Sequence, residues 1–109
     1  MLTVDIHSNK ETVDAALYQL GEAIKLARRD SDKLLCVIVG YGSSGKTHKI
    51  RTAVIEELNN LKISNFIKGF ICGNNLDLFD PIYHGFEYRD RIPESEKKKQ
   101  NKGAIYIVL

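Results

Sequence analysis

Residues 34 to 58, LLCVIVGYGSSGKTHKIRTAVIEEL, pass from an apolar run through a glycine-rich loop into a helix-forming segment. LLCVIV contains no polar residue, so as a strand it needs cover on both faces. Ile50, Val54, Leu58 and Leu61 then recur at helical steps and predict an amphipathic helix. A strand, a tight loop and a helix in that order require an α/β sheet. Gly40 to Thr47 also spell G-x-x-x-x-G-K-T, the pattern whose backbone N–H groups wrap phosphates. Whether the loop faces a nucleoside triphosphate or another phosphate depends on the rest of the chain.

The flanking segments extend the same class. LTVDIH alternates apolar and polar residues and predicts a first strand. Ser8 and Glu11 have capping-box spacing, and Val13, Leu17, Leu20, Ile24 and Ala27 then predict one apolar helix face. FIKGFIC predicts a third strand and GAIYIVL a fourth. The order is β-α-β-α-β-β, too short for a full doubly wound sheet, and 109 residues leave room for one domain, 1–109. Residues 73–102 form a long insertion before the last strand, ending in PESEKKKQNK, which is polar enough to be expected mobile.

Bulk properties narrow the function classes. No apolar run approaches the ~18 residues of a membrane span, so no membrane partner is expected. The start MLTVDIHSNK lacks a signal-peptide core, so the expected compartment is the cytoplasm. A net charge of +2 and pI near 8.5 permit nucleic acid without demanding it. Cys36 and Cys72 lack CxxC spacing and read as small core residues rather than a redox pair or metal ligands.

A triphosphate site would use Lys46 on the outer phosphates and Thr47 on magnesium. The third strand, however, runs into Gly73, Asn74 and Asn75, without the carboxylate that should hold the metal. Asp77 and Asp80 are weak substitutes, and the first strand is left with no task.

A second reading uses both ends of the sheet. Asp5 and His7 are two apart, so they share a strand face at its C-terminal end. The glycine loop leaves the same end of a strand made parallel by the βαβ connection, and ligands favour that crevice. Asp5 would orient and charge the imidazole while His7 transfers a proton at a phosphodiester. The backbone of Gly40, Gly42, Ser43, Ser44 and Gly45 would supply anion-binding donors. Lys46, Lys49 and Arg51 stand where the helix dipole favours acids, and phosphate contact explains that placement.

The lysine run 97–99 reads as a solvated loop that could also track a nucleic-acid backbone. Tyr83, Phe86 and Tyr88 could stack on bases or fold the insertion over the open sheet face; a homodimer burying that face is a third option.

With these residues in place the chain resembles a family. TVDIH is similar to the LDLHG opening of Smr (small MutS-related) domains. VIVGYGSSG…KIRTAVIEEL resembles their IHGxG loop and following helix, and GAIYIVL their closing strand. The resemblance implies a two-layer sandwich, like the C-terminal domain of bacterial translation initiation factor three. Its four-stranded mixed sheet would carry both helices on one face. It also implies DNA or RNA binding, often with endonuclease activity. Asp5 and His7 match the acid and imidazole of the first motif, and Gly40 and Gly42 the glycines of the second. Val39 stands where the family has histidine, Ser8 where it has glycine, and the loop is about four residues longer; His48 is a candidate replacement for the lost imidazole. The expected function is therefore nucleic-acid binding with endonuclease activity resting on Asp5 and His7. The rivals are a nucleotide-binding protein using Gly40 to Thr47 and a non-catalytic interaction module. No cofactor is required, and a divalent metal is left open.

Overall fold

The structure, a computed structural model, describes residues 1–6, 12–40 and 45–109, with only the backbone of Lys46. It is an α/β fold with a four-stranded mixed sheet in the order β1-β2-β4-β3. The strands are β1 (Leu2–Asp5), β2 (Leu34–Ile38), β3 (Gly69–Cys72) and β4 (Ala104–Val108). β1 runs parallel to β2, and β4 lies antiparallel between β2 and β3. The C-terminal ends of β1, β2 and β3 therefore share one edge.

The helices α1 (Val13–Arg29) and α2 (Gly45–Ile63) cover one sheet face. Leu20, Ile24 and Ala27 of α1 and Ile50, Val54 and Leu58 of α2 pack on Leu35, Val37, Ile105 and Ile107. These are the periodic positions the sequence marks. The cap differs: α1 starts at Val13, where the Thr12 hydroxyl accepts the Ala15 N–H at 3.1 Å. The predicted Ser8–Glu11 box lies outside the described residues. At the far end of α2, Asn65 adopts a left-handed φ of 63° and Phe66 N–H returns to the Leu61 carbonyl at 2.8 Å. That helix-terminating turn takes up the first part of FIKGFIC, so β3 begins at Gly69.

The insertion covers the other face. It carries 3₁₀ turns at Gly73–Asn75 and Arg89–Arg91 and the short helices α3 (Pro81–Gly85) and α4 (Glu94–Lys99). Leu76, Tyr83 and Ile92 are buried against Cys36, Ile71, Tyr106 and Val108, with Phe86 and Tyr88 packed at the margin. The apolar character of β2 is satisfied on both sides. The aromatics offered as stacking platforms thus act as cover, and a dimer partner would meet the outer surface of the insertion, not a bare sheet.

The segment expected to be mobile is instead pinned. Lys97 pairs with Glu94 at 3.0 Å and Lys99 with Glu96 at 2.9 Å, each one helical turn apart. Tyr106, fully buried in the central strand, donates its hydroxyl to Glu96 at 3.0 Å. Tyr106→Phe is expected to lower unfolding free energy in urea by about 1 kcal/mol. The Lys99 hydrogen bond, then the Tyr106 hydroxyl, hold the Glu96 carboxyl below the usual glutamate value of 4.5. A carboxylate with a lowered folded pKa stabilises fully above its unfolded value and loses that contribution as pH falls through the folded one. Tyr106→Phe should therefore flatten the acid-side loss of stability, read by melting from pH 7 down to 3.

Among the described residues, no helix is long and apolar enough to cross a membrane.

Candidate functional site

The parallel pairing of β1 and β2 builds the edge. Its register sets Val4 beside Val37 and Asp5 beside Ile38, and Ile6 N–H continues the ladder to the Ile38 carbonyl at 3.0 Å. Val4 and Ile6 pack with the helix-side core, so Asp5 points to the opposite face, where it is exposed. β2 ends two residues before Gly40, whose φ of 82° is a left-handed conformation that favours glycine. Asp5 is thus one strand away from the start of the glycine turn. His7, Gly42, Ser43, Ser44 and the Lys46 side chain lie outside the described residues, so the proposed acid–imidazole pair is described at Asp5 alone.

Past the loop, α2 begins at Gly45 with no acid in its first turn. His48 and Lys49 are exposed and Thr47 is half-buried. Such a helix start favours anions through its dipole.

Arg51 makes structural contacts that its position in the sequence does not announce. Its Nη1 donates to the carbonyls of Gly40 at 3.3 Å and Lys102 at 3.2 Å, and Nη2 donates to Asn74 Oδ1 at 3.4 Å. One guanidinium joins α2 to the exit of β2, the approach to β4 and the turn after β3. Gly103 completes the junction: a Cβ there would lie 3.2 Å from the Gly40 Cα and carbonyl carbon. Asn74 and Gly103 were not singled out from the sequence, because nothing local links them to Arg51. Arg51→Ala is expected to cost about 1–2 kcal/mol in urea denaturation, with little recovery in Arg51→Lys, whose ammonium lacks the planar fork.

Other candidates resolve into structural roles. Val39, at the position of the family histidine, is fully buried in the helix-side core and cannot present a ligand to the edge. Asp77 Oδ1 accepts the Phe79 N–H at 2.9 Å, and Asp80 caps α3 by accepting the Ile82 N–H at 2.8 Å. Both organise a turn. Cys36 and Cys72 are free thiols on opposite sheet faces. Burial pushes Cys36 up to about 11, helped by the charge of Glu96; burial also raises Cys72, against the opposing Arg51 charge. Both therefore stay protonated at neutral pH, as inert core thiols do. Among the described residues no group of three His, Cys, Asp or Glu side chains could hold a metal ion.

Fold and edge together define a class of architecture. Its mixed α/β sheet has Gly40 and the start of α2 following the carboxyl end of β2, beside the end of β1. Comparison with protein-family models, with curated proteins and with solved structures finds no match for this chain.

Proposed function

We propose that this chain is an Smr-like domain that binds DNA or RNA through the carboxyl edge of β1 and β2. One observation supports the reading: the register that sets Asp5 beside Ile38 puts a carboxylate at the strand ends from which the chain leaves toward Gly40 and α2. Backbone donors and Lys49 would hold a phosphate, and Asp5 with His7 would move a proton at the phosphodiester, making the domain an endonuclease. The four-stranded mixed sheet and the shared face of α1 and α2 are the features the resemblance implies. The cytoplasm is the compartment this reading assigns.

The test is filter binding of labelled single- and double-stranded DNA and RNA at two salt concentrations. Lys49→Ala should weaken binding across sequences and reduce the salt slope by about one ion. An absence of binding to every oligonucleotide at low salt would sink the proposal.

A second reading draws on one further observation. α2 opens at Gly45, so Gly45-Lys46-Thr47 follows the strand and starts the helix as a triphosphate loop requires. Against it, β4 beside β2 is antiparallel, and β3 ends without a carboxylate. Micromolar binding of ATP or GTP with magnesium in calorimetry, lost in Lys46→Ala, would favour this second reading.

A further inference from the structure

The outer surface of the insertion exposes three large apolar side chains within five residues. Leu78 is 67% exposed, Phe79 92% and Ile82 58%. Single exposed apolar residues are ordinary, but a contiguous set marks an interaction surface. This one is held rigidly. Asp77 accepts the Phe79 N–H, Asp80 N–H donates to the Asp77 carbonyl at 2.9 Å, and Asn75 Nδ2 donates to Asp80 at 3.0 Å. His84 adds a contact to the Leu78 carbonyl. The backbone of the turn is already tied by these hydrogen bonds, so binding has only the side chains left to order.

The ring itself borders a hollow of about 380 Å³, whose apolar lining is Leu76, Leu78, Phe79 and Tyr83. Its rim carries two acids, Asp77 and Glu94, and two bases, Lys97 and Lys98. Glu94 and Lys97 pair with each other. Lys98 is exposed and forms no ion pair with Asp77 although both line the same hollow. A protruding apolar group and an apolar hollow on one surface, with balanced charges around them, are what a two-fold interface requires.

We propose that this surface pairs with a second copy of the chain. Phe79 of each protomer enters the hollow of the other, and Lys98 of each meets Asp77 of the other across the axis. The formal net charge of +2 opposes such pairing little. Three side chains contribute on the order of 300 Å² per copy, below the ~800 Å² per partner of a standard interface. Such a dimer is expected to be weak, with a Kd between about 10 μM and 1 mM. This inference is independent of the nucleic-acid reading.

Sedimentation equilibrium of the full chain from about 10 μM to 1 mM tests it, spanning the expected Kd. The weight-average mass should rise from 12.3 kDa toward twice that value. Phe79→Ser should raise the Kd at least about tenfold, and Lys98→Glu should raise it less and only at low salt. Both positions are exposed, so melting curves should match the wild type. A wild type that stays at 12.3 kDa up to the highest concentration overturns the proposal. A Phe79→Ser variant that dimerises as strongly as the wild type overturns it too.

Discussion

Gly73→Ala is expected to cost about 3 kcal/mol or more of unfolding free energy, the largest loss from an added methyl group among the glycines whose surroundings are described. A Cβ at position 73 would lie 1.9 Å from the Asn101 carbonyl oxygen and 2.9 Å from its carbon, with the Ala104 oxygen at 3.3 Å. All three contacts are backbone, so no side chain can swing aside. Asn101 cannot easily retreat either. Its carbonyl accepts the Ala104 N–H at 3.1 Å, and its side chain accepts the Gly103 N–H at 3.0 Å. Together they form the turn that feeds β4. Because β4 lies between β2 and β3, a shift of that turn loosens two ladders at once. Gly21→Ala is the matched control. That glycine sits inside α1 with nothing within 4 Å of an added Cβ, so the change should gain about 0.5–1 kcal/mol. Urea denaturation of both variants reads the contrast. A Gly73→Ala protein as stable as the wild type would mean the two backbones do not meet there.

Gly73 also shows where the sequence stops being legible. Elements driven by local patterning were readable: the periodic positions of α1 and α2, the alternation in β1, and the unbroken apolar runs of β2 and β4. Their signal lies within one turn or one strand. Gly73 against Asn101, Gly103 against Gly40, and Arg51 against three distant segments are products of tertiary closure. No residue near any of them in sequence announces the partner. The stretch 94–99 misled for a related reason. Six polar residues look solvated until Tyr106 supplies a buried hydroxyl to anchor Glu96. At the edge, the C-terminal position of Asp5 followed from strand period and the handed βαβ rule. Arg51's links to three oxygens were not legible, because a cation early in a helix looks the same in sequence whether or not it also reaches distant backbone and amide oxygens.

Asp5→Asn is the substitution with the largest expected effect on activity. On the nucleic-acid reading it should slow phosphodiester cleavage by about 10²- to 10⁴-fold, the usual contribution of a positioned proton-transfer group. The change keeps the shape and removes the charge. Asp5 sits exposed at the end of an edge strand, so the melting temperature should change little. His7→Ala should give a loss of the same size. If carboxylate and imidazole act as one unit, the double variant should be no slower than the worse single variant, because removing either member already disables the couple. Single-turnover cleavage of end-labelled RNA and DNA, with filter binding run in parallel, separates the outcomes. Lost cleavage with retained binding assigns the proton transfer to Asp5 and His7 and the phosphate contact to the loop and α2. Cleavage unchanged in both variants removes them from the chemistry. Binding with no cleavage even in the wild type leaves a non-catalytic module, which is the chemical consequence expected if the buried Val39 has cost the edge an imidazole it needs.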